Sequence, residues 1–470
     1  MERRLRKASR TVAALGPAGG VAARSKSTQS SAFTRPVTRR AVLKTALAGT
    51  PFLAGMGSAR AARHVAQRSS WITPRGTIKI GLLWSLTGHL SVIEKPSRDV
   101  GLFWVEEVNK AGGVGGLPIE PVVIDAQSDM KSYRQGILHL IRKENVLATF
   151  GGYTSASRRA VMPLVTLNGS LFYYPTCYEG RECWQHIICT GPIANQHSFD
   201  LIPYMVKNYG PRAYFIGSNY VWPRESNRNA RRWLEDSGGE LVGEAYMPLG
   251  QGHFDPIFAD VKKQQPDWIF STVIGDSDLY LRKQYIKAGF TPDELPTASL
   301  TTSEMEVKMM GVEYGEGHIL SAPYFQSLDN PTNVDFVDRF LASQFGESGV
   351  THYNMEDTYL AFLYFQKAVE KILLEEGAVG ITPANVRNYS AGLKLSAAES
   401  PEGGVQIDPQ NFNSWLTPKI GRFNGQGQVD LLFEQKHKIP PRPYILYPDR
   451  GQCKIDGLHL PSGKRVKAAS

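Results

Sequence analysis

The chain predicts an α/β fold of two doubly wound parallel-sheet lobes, and two observations carry that expectation. Strand-like apolar runs alternate with helix-period segments from Thr77 onward, and the alternation starts again near Asn195. Polar and aromatic residues also recur just after the strand-like runs, where a parallel sheet opens its ligand crevice.

Thr77 to Leu86 reads as a strand, and Pro96 to Lys110 as a helix with Val100, Phe103, Trp104 and Val108 on one face. Pro118 to Asp125 is the second strand, Lys131 to Glu144 the second helix and Val146 to Gly151 the third strand. The Ala111 to Gly116 turn lacks a following Gly-Lys-Ser/Thr and comes after a helix, so it reads as a cap and not as a phosphate loop. Residues 149–180 supply strand, glycine turn, helix and a further buried strand. Their strand ends offer Tyr153, Thr154 and Ser155, then Tyr174, Pro175 and Thr176.

These groups suit a small polar ligand, and none of them carries a full charge. Each alone reads as a core aromatic or a helix cap. The repeat of the pattern at successive strand ends favours a binding site, because buried hydroxyls without partners cost roughly 1–3 kcal/mol each.

In the second half, Ser198–Tyr209, Pro223–Asp236, Phe254–Gln264 and Leu279–Gly289 have helical period. Arg212–Gly217, Glu240–Met247, Trp268–Val273 and Thr297–Leu300 read as strands. Asn219, Tyr220 and Trp222 follow one strand, and Thr301, Thr302 and Ser303 another; Asp276 and Asp278 read as helix caps. Ser321–Asn330 is expected to cross between lobes. Helical pattern returns at Asn333–Phe345 and Asp357–Leu374, and short hairpins follow over 400–450 with Asn424-Gly425 as a turn.

The formal charge of +9 is concentrated at the start of the chain. Residues 1–61 hold twelve Lys or Arg and one acidic residue, Glu2, leaving 41 basic against 43 acidic residues in the remainder. The slightly acidic body removes the main support for a nucleic-acid partner. The basic end contains Thr38-Arg39-Arg40-Ala41-Val42-Leu43-Lys44, an apolar stretch to Gly57 and Ala59-Arg60-Ala61. This pattern resembles a twin-arginine export signal cleaved near Ala61, which places the mature protein in the periplasm.

Cys177, Cys183, Cys189 and Cys453 have no CxxC spacing, so no metal site is expected from them. One disulfide is compatible with this set, its pairing open. No cofactor motif is present, and a hydrolase reading lacks both a G-x-S-x-G elbow and a histidine partner for Ser155.

From about Thr77 to Pro448 the chain resembles the type I periplasmic binding proteins of the branched-chain amino acid, amide and urea group. The segments that carry the likeness are IKIGLLWSLTG, GGYTSASRRAVMP, YYPTCYEG, TGPIANQ, GSNYVWPRESN, FSTVIGD and ASLTTSE. GSNYVWPRESN and ASLTTSE are especially similar to the amide-sensing regulator of aliphatic amidase operons and its transport relatives.

The resemblance implies two lobes joined by a three-stranded hinge that close on ligand. They would comprise 77–193 with 325–400 and 194–324 with 401–450, after the 1–61 leader and before a polar tail at 451–470. It implies ligand contacts at Ser85, Tyr153, Ser155, Tyr174, Thr176, Tyr220, Trp222 and Thr301. Trp222 and Cys177 depart from the regulator, which has tyrosine and proline there.

The expected function is binding of a short-chain amide or urea for delivery to an ABC permease of the inner membrane, with no catalysis. A cytoplasmic amide sensor and a branched-chain amino acid receptor are the alternatives. The leader argues against the sensor.

Overall fold

The computed structural model describes residues 70–451 and 453. The leader, with Arg39-Arg40 and the Ala59–Ala61 pattern, lies outside the described residues, as does all of the expected tail after 453.

The first half builds a five-stranded parallel sheet from β1 (Ile78–Trp84), β2 (Ile119–Asp125), β3 (Ala148–Gly151), β4 (Phe172–Tyr174) and β5 (Ile187–Cys189). Its order is β2-β1-β3-β4-β5, with helices α1 (Ser91–Lys110), α2 (Met130–Arg142) and α3 (Ser155–Leu167) as crossovers. The order reverses between β1 and β3, so the switch point falls beside Ser85 and Tyr153.

Short α4 (Ala194–His197) and α5 (Leu201–Tyr209) lead into the second lobe. There β6 (Arg212–Ser218), α6 (Val221–Asp236), β7 (Glu240–Met247), α7 (Asp255–Gln264), β8 (Trp268–Thr272), α8 (Asp276–Lys287), β9 (Thr297–Ser299), α9 (Glu304–Met310) and β10 (Ile319–Ala322) alternate. The chain then returns to pack α10 (Pro331–Ala342), α11 (Tyr353–Glu375) and α12 (Pro383–Ser390), of which α11 lies against α1 and β4 of the first lobe. A small antiparallel sheet of β11 (Lys394–Leu395), β12 (Val405–Ile407) and β13 (Ser414–Trp415) follows. Last, β14 (Lys419–Phe423) and β15 (Val429–Glu434) complete the second sheet, ordered β15-β14-β10-β9-β8-β6-β7.

Three expectations shift. The first helix starts at Ser91, more than a turn before Pro96. A Gly88 turn and the Leu90 carbonyl hold its first turn, so the proline sits inside the helix without being its start. Ser321 and Ala322 belong to β10, and the crossing to the first lobe begins at Pro323. A fifth strand, Ile187–Cys189, falls outside the sequence reading because no helix precedes it over 175–186 to mark a crossover unit.

An aromatic stack forms the centre of the first lobe. Phe362 lies 4.1 Å from Phe150 and 4.8 Å from Trp104, centroid to centroid. This closeness depends on Gly101, where a Cβ would stand 3.0 Å from the Phe362 ring. Gly151 ends β3 at φ +151°, and a Cβ there would collide with the Leu83 carbonyl at 2.0 Å. The close approach leads the chain directly into Tyr153.

Cys183 and Cys453 form a disulfide spanning 270 residues, whereas Cys177 and Cys189 are free and buried. Closing so long a loop restricts the unfolded chain, and such bonds typically contribute about 2–4 kcal/mol. Cys453→Ser is expected to lower the melting temperature by calorimetry and to remove the destabilising effect of a reductant. A wild-type protein insensitive to reductant would contradict this.

Candidate functional site

Both sheets present the carboxyl ends of their parallel strands to the space between the lobes. From the first lobe come Ser85 after β1, Tyr153 after β3 and Tyr174 to Cys177 at the end of β4. From the second come Tyr220 after β6 and Thr301 after β9. Residues of both lobes share one apolar cluster there, including Tyr153, Tyr174, Cys177, Trp222, Ile274 and Leu300, so the lobes are closed on each other. Arg181 reaches Glu225 of α6 at 2.5 Å across the mouth.

The structure divides the expected residues by what their hydroxyls do. Tyr174 Oη donates to the Tyr153 carbonyl, Thr176 Oγ1 to the Gly152 carbonyl at 3.2 Å and Thr301 Oγ1 to the Val273 carbonyl at 2.7 Å. These three shape the strand-end loops. Ser85 accepts from the Ser128 N–H at 2.9 Å, and its own N–H donates to Glu94 at 2.7 Å.

Trp222 is buried as the second residue of α6, close after Tyr220, whose extended backbone starts that helix. Tyr153 is different. It is buried, yet its Oη has no hydrogen-bond partner among the described residues. Burial pushes its phenol well up, with Tyr353, Cys177, Glu306 and Tyr220 as further charges or dipoles nearby.

Ser155 lies in a network whose charged members the sequence reading did not place. Thr154 caps α3 by accepting from the Ser157 N–H, which puts Ser155 and Arg158 on adjoining turns. Ser155 Oγ donates to Glu179 at 2.5 Å and accepts from Arg158 Nη1 at 3.0 Å. Arg158 also bonds Glu179 at 3.1 Å and Glu182 at 3.0 Å, and its guanidinium lies 5.0 Å and 4.4 Å from the Tyr174 and Tyr178 ring centres. Burial opposes the charge on Arg158, but Glu179 and Glu182 outweigh it and hold the guanidinium protonated.

Ser155 and Tyr174, both read from strand ends, thus lie against a paired charge. The signal was present as Arg158 three residues after Ser155 and Glu179 three after Thr176, but a pattern of that kind is common on solvated surfaces.

Two further groups missed in the sequence come from α11, packed on the first lobe, and from α9 of the second. Tyr353, the first residue of α11, donates to the Thr301 carbonyl at 3.1 Å. Glu306 accepts from the Ser303 N–H at 3.0 Å in a capping box, and burial pushes its carboxyl up to about 7. At the outer end of the cleft, Leu86, Val92, Lys95, Asp276, Met305 and Lys308 line a cavity of about 510 Å³.

This two-lobed arrangement, with ligand-sized polar groups at the meeting strand ends, is that of a type I periplasmic binding protein. The model of the periplasmic binding protein domain matches residues 78–450, and the chain belongs to that family. It is 21% identical over 352 residues to a leucine-, isoleucine-, valine-, threonine-, and alanine-binding protein of Pseudomonas aeruginosa, covering 74% of this chain and 90% of that one.

A solute binding protein of an ABC transporter from R. palustris, in complex with 4-hydroxybenzoate, superposes with a TM-score of 0.69 at 21% identity, covering 77% and 98% of the two chains. A branched-chain amino acid transporter substrate binding protein of Streptococcus pneumoniae, in complex with isoleucine, gives 0.66 at 17% identity over 77% and 100%. A shorter stretch of 136 residues is 29% identical to 23% of the length of a limonene hydroxylase from Geobacillus stearothermophilus, too small a part to bear on activity.

Glu94 links the switch point to pH. Burial pushes it up to about 7, although Tyr133 and the Ser85 N–H both favour its charged form. An unfolded glutamate loses its proton near 4.5, so the folded state binds the proton more tightly. The resulting stability is fully present below about pH 4.5 and is lost as pH rises through about 7. Glu94→Gln should therefore flatten the decline in denaturant-measured stability over that window, by roughly 2–3 kcal/mol relative to wild type. Parallel pH profiles for the two proteins would refute it.

Proposed function

We propose that the protein is the exported substrate-binding component of an ABC transporter for a short-chain aliphatic amide or urea. The observation that carries the reading is the buried Tyr153 hydroxyl, without a partner among the described residues, at the meeting of the lobes and near Tyr220, Tyr353 and Glu306. Leaving such a group unpaired costs roughly 1–3 kcal/mol, which a ligand hydrogen bond would recover.

The charges around it favour a neutral ligand. Arg158, the buried cation of the site, has each of its nitrogens engaged with Ser155, Glu179 or Glu182. A benzoate or amino acid carboxylate would have to compete for it and would face Glu179 and Glu306. An amide or urea presents NH2 donors that acceptors of this kind suit, and an oxygen that a tyrosine hydroxyl can donate to.

Tyr153 and Tyr220 come from opposite lobes, so a ligand touching both favours the closed state by its differential affinity. That coupling is what a permease would read. The leader, with its paired arginines, supports export by the twin-arginine route to the periplasm.

Calorimetry with acetamide, propionamide, urea, leucine, isoleucine and 4-hydroxybenzoate tests the ligand class. At least one of the first three is expected to bind more tightly than any of the last three. Preference for leucine or isoleucine would instead favour the branched-chain amino acid reading. Tyr153→Phe should weaken that binding about fivefold to a hundredfold, with the unliganded melting temperature unchanged or higher, because the deleted hydroxyl has no partner among the described residues. Ser155→Ala should lower affinity and melting temperature together, since it also deprives Glu179 and Arg158 of a bond.

Export is tested by changing Arg39 and Arg40 to lysine. The expected outcome is unprocessed precursor in the cytoplasm, and normal processing would count against the twin-arginine route.

A further inference from the structure

Glu356, Asp357 and Glu402 bring their carboxylates together, with one oxygen from each within 4.8 Å of the others. Glu356 and Asp357 are fully buried and Glu402 is 5% exposed. None of their six oxygens meets a donor in hydrogen-bonding geometry among the described residues. Natural interiors pair nearly all such groups, and an uncompensated buried carboxylate costs several kcal/mol. Three of them side by side must be neutralised, by protons or by a bound positive charge.

The protein's own cations, Lys419 and Lys438, favour the charged form of Glu402, but neither ammonium hydrogen-bonds any of the three carboxylates. Lys419 is buried nearby, but its ammonium donates to the carbonyls of Pro323, Thr417 and Glu402 and lies 3.5 Å from the half-exposed Glu434. A second group points to the same vacancy of partners. Tyr364 is fully buried in the field of Glu402 and Glu356, and its hydroxyl lies near Ser414 without completing a hydrogen bond.

We propose that Glu356, Asp357 and Glu402 form a buried calcium site that ties together the three crossings between the lobes. All the available donors are oxygens, which selects a hard cation over zinc or copper. Calcium binds oxygen at about 2.3–2.6 Å, so oxygens on opposite sides of one ion stand about 4.6–5.2 Å apart. The 4.8 Å spread fits that sphere. Magnesium, with shorter bonds and a strong hold on its water, suits a dry carboxylate cluster poorly.

The surroundings give the site its role. Thr190, just after β5 on the first crossing, donates to the Asp357 carbonyl at 2.7 Å. Pro323 opens the second crossing, Thr417 and Lys419 end the third, and Lys419 joins both to Glu402. An ion held by Glu356, Asp357 and Glu402 would fix all three segments at the pivot while the lobes move about it.

Metal content and thermal unfolding of the full exported chain test this. Protein purified without chelator should carry close to one calcium per chain by mass spectrometry. EDTA should lower its melting temperature by at least about 3 °C, and calcium chloride should restore it. Glu402→Gln and Asp357→Asn should each abolish or strongly reduce both the calcium content and the response.

A wild-type melting temperature indifferent to EDTA and to millimolar calcium would overturn the proposal. So would restoration by magnesium but not calcium, or a calcium response undiminished in both variants, which would place the ion elsewhere. The wild-type measurements decide the matter even if a variant fails to fold.

Discussion

The Arg158 guanidinium, buried between Glu179 and Glu182 and against two tyrosine rings, is the contact on which the arrangement of the cleft depends. It ties the first turn of α3 to the irregular 175–186 connection, which has no helix to position it. Once that connection is fixed, Tyr174 and Cys177 are held at the strand end and Cys183 is placed for its disulfide. Removing either carboxylate would strand buried charge and cost several kcal/mol, so the pair specifies a geometry more than it adds net stability. Ser155 belongs to this contact as a third member.

The same network explains why a site with buried charges can suit a neutral ligand. Positive and negative charge cancel within the protein, and the ring faces of Tyr174 and Tyr178 shield the pair. What remains facing the lobe junction is hydroxyl and aromatic surface together with a carboxyl, Glu306, whose hold on its proton burial raises to about 7. Such a surface separates ligands by hydrogen-bond pattern and size more than by charge.

Much of the fold was legible because it rests on periodicity. The strands β1, β2, β3, β6, β7 and β8 and most crossover helices are long enough for apolar alternation or a 3.6-residue repeat to emerge. Short elements such as Ile187–Cys189 and Ala194–His197 carry no such signal. Within the candidate site, strand-end hydroxyls and aromatics were readable from their position after apolar runs. Arg158 and Glu179 were not assigned because a charged residue in sequence usually faces solvent, and only the folded chain shows both side chains fully buried. The Glu356, Asp357 and Glu402 cluster escaped for a related reason. Its members join across some 45 residues, and a search for cysteine and histidine spacings cannot see them.

The C-terminal segment adds a constraint on how the lobes can part. Tyr444 donates its N–H to the Gly180 carbonyl, and the Cys183–Cys453 bond anchors the same segment to the first lobe. Between these anchors, Tyr447 donates to Glu225 of α6 at 2.6 Å and accepts from Arg228 at 2.6 Å, and Arg181 pairs with Glu225 from the other side. The segment runs on from β15 of the second lobe and is bound to the first by the disulfide and the Gly180 contact, so opening must bend it or give up some of its contacts. Partly exposed pairs of this kind contribute about 1 kcal/mol or less each. They can steady closure without locking it, which under the proposed reading leaves the balance between open and closed states to a ligand that bridges Tyr153 and Tyr220.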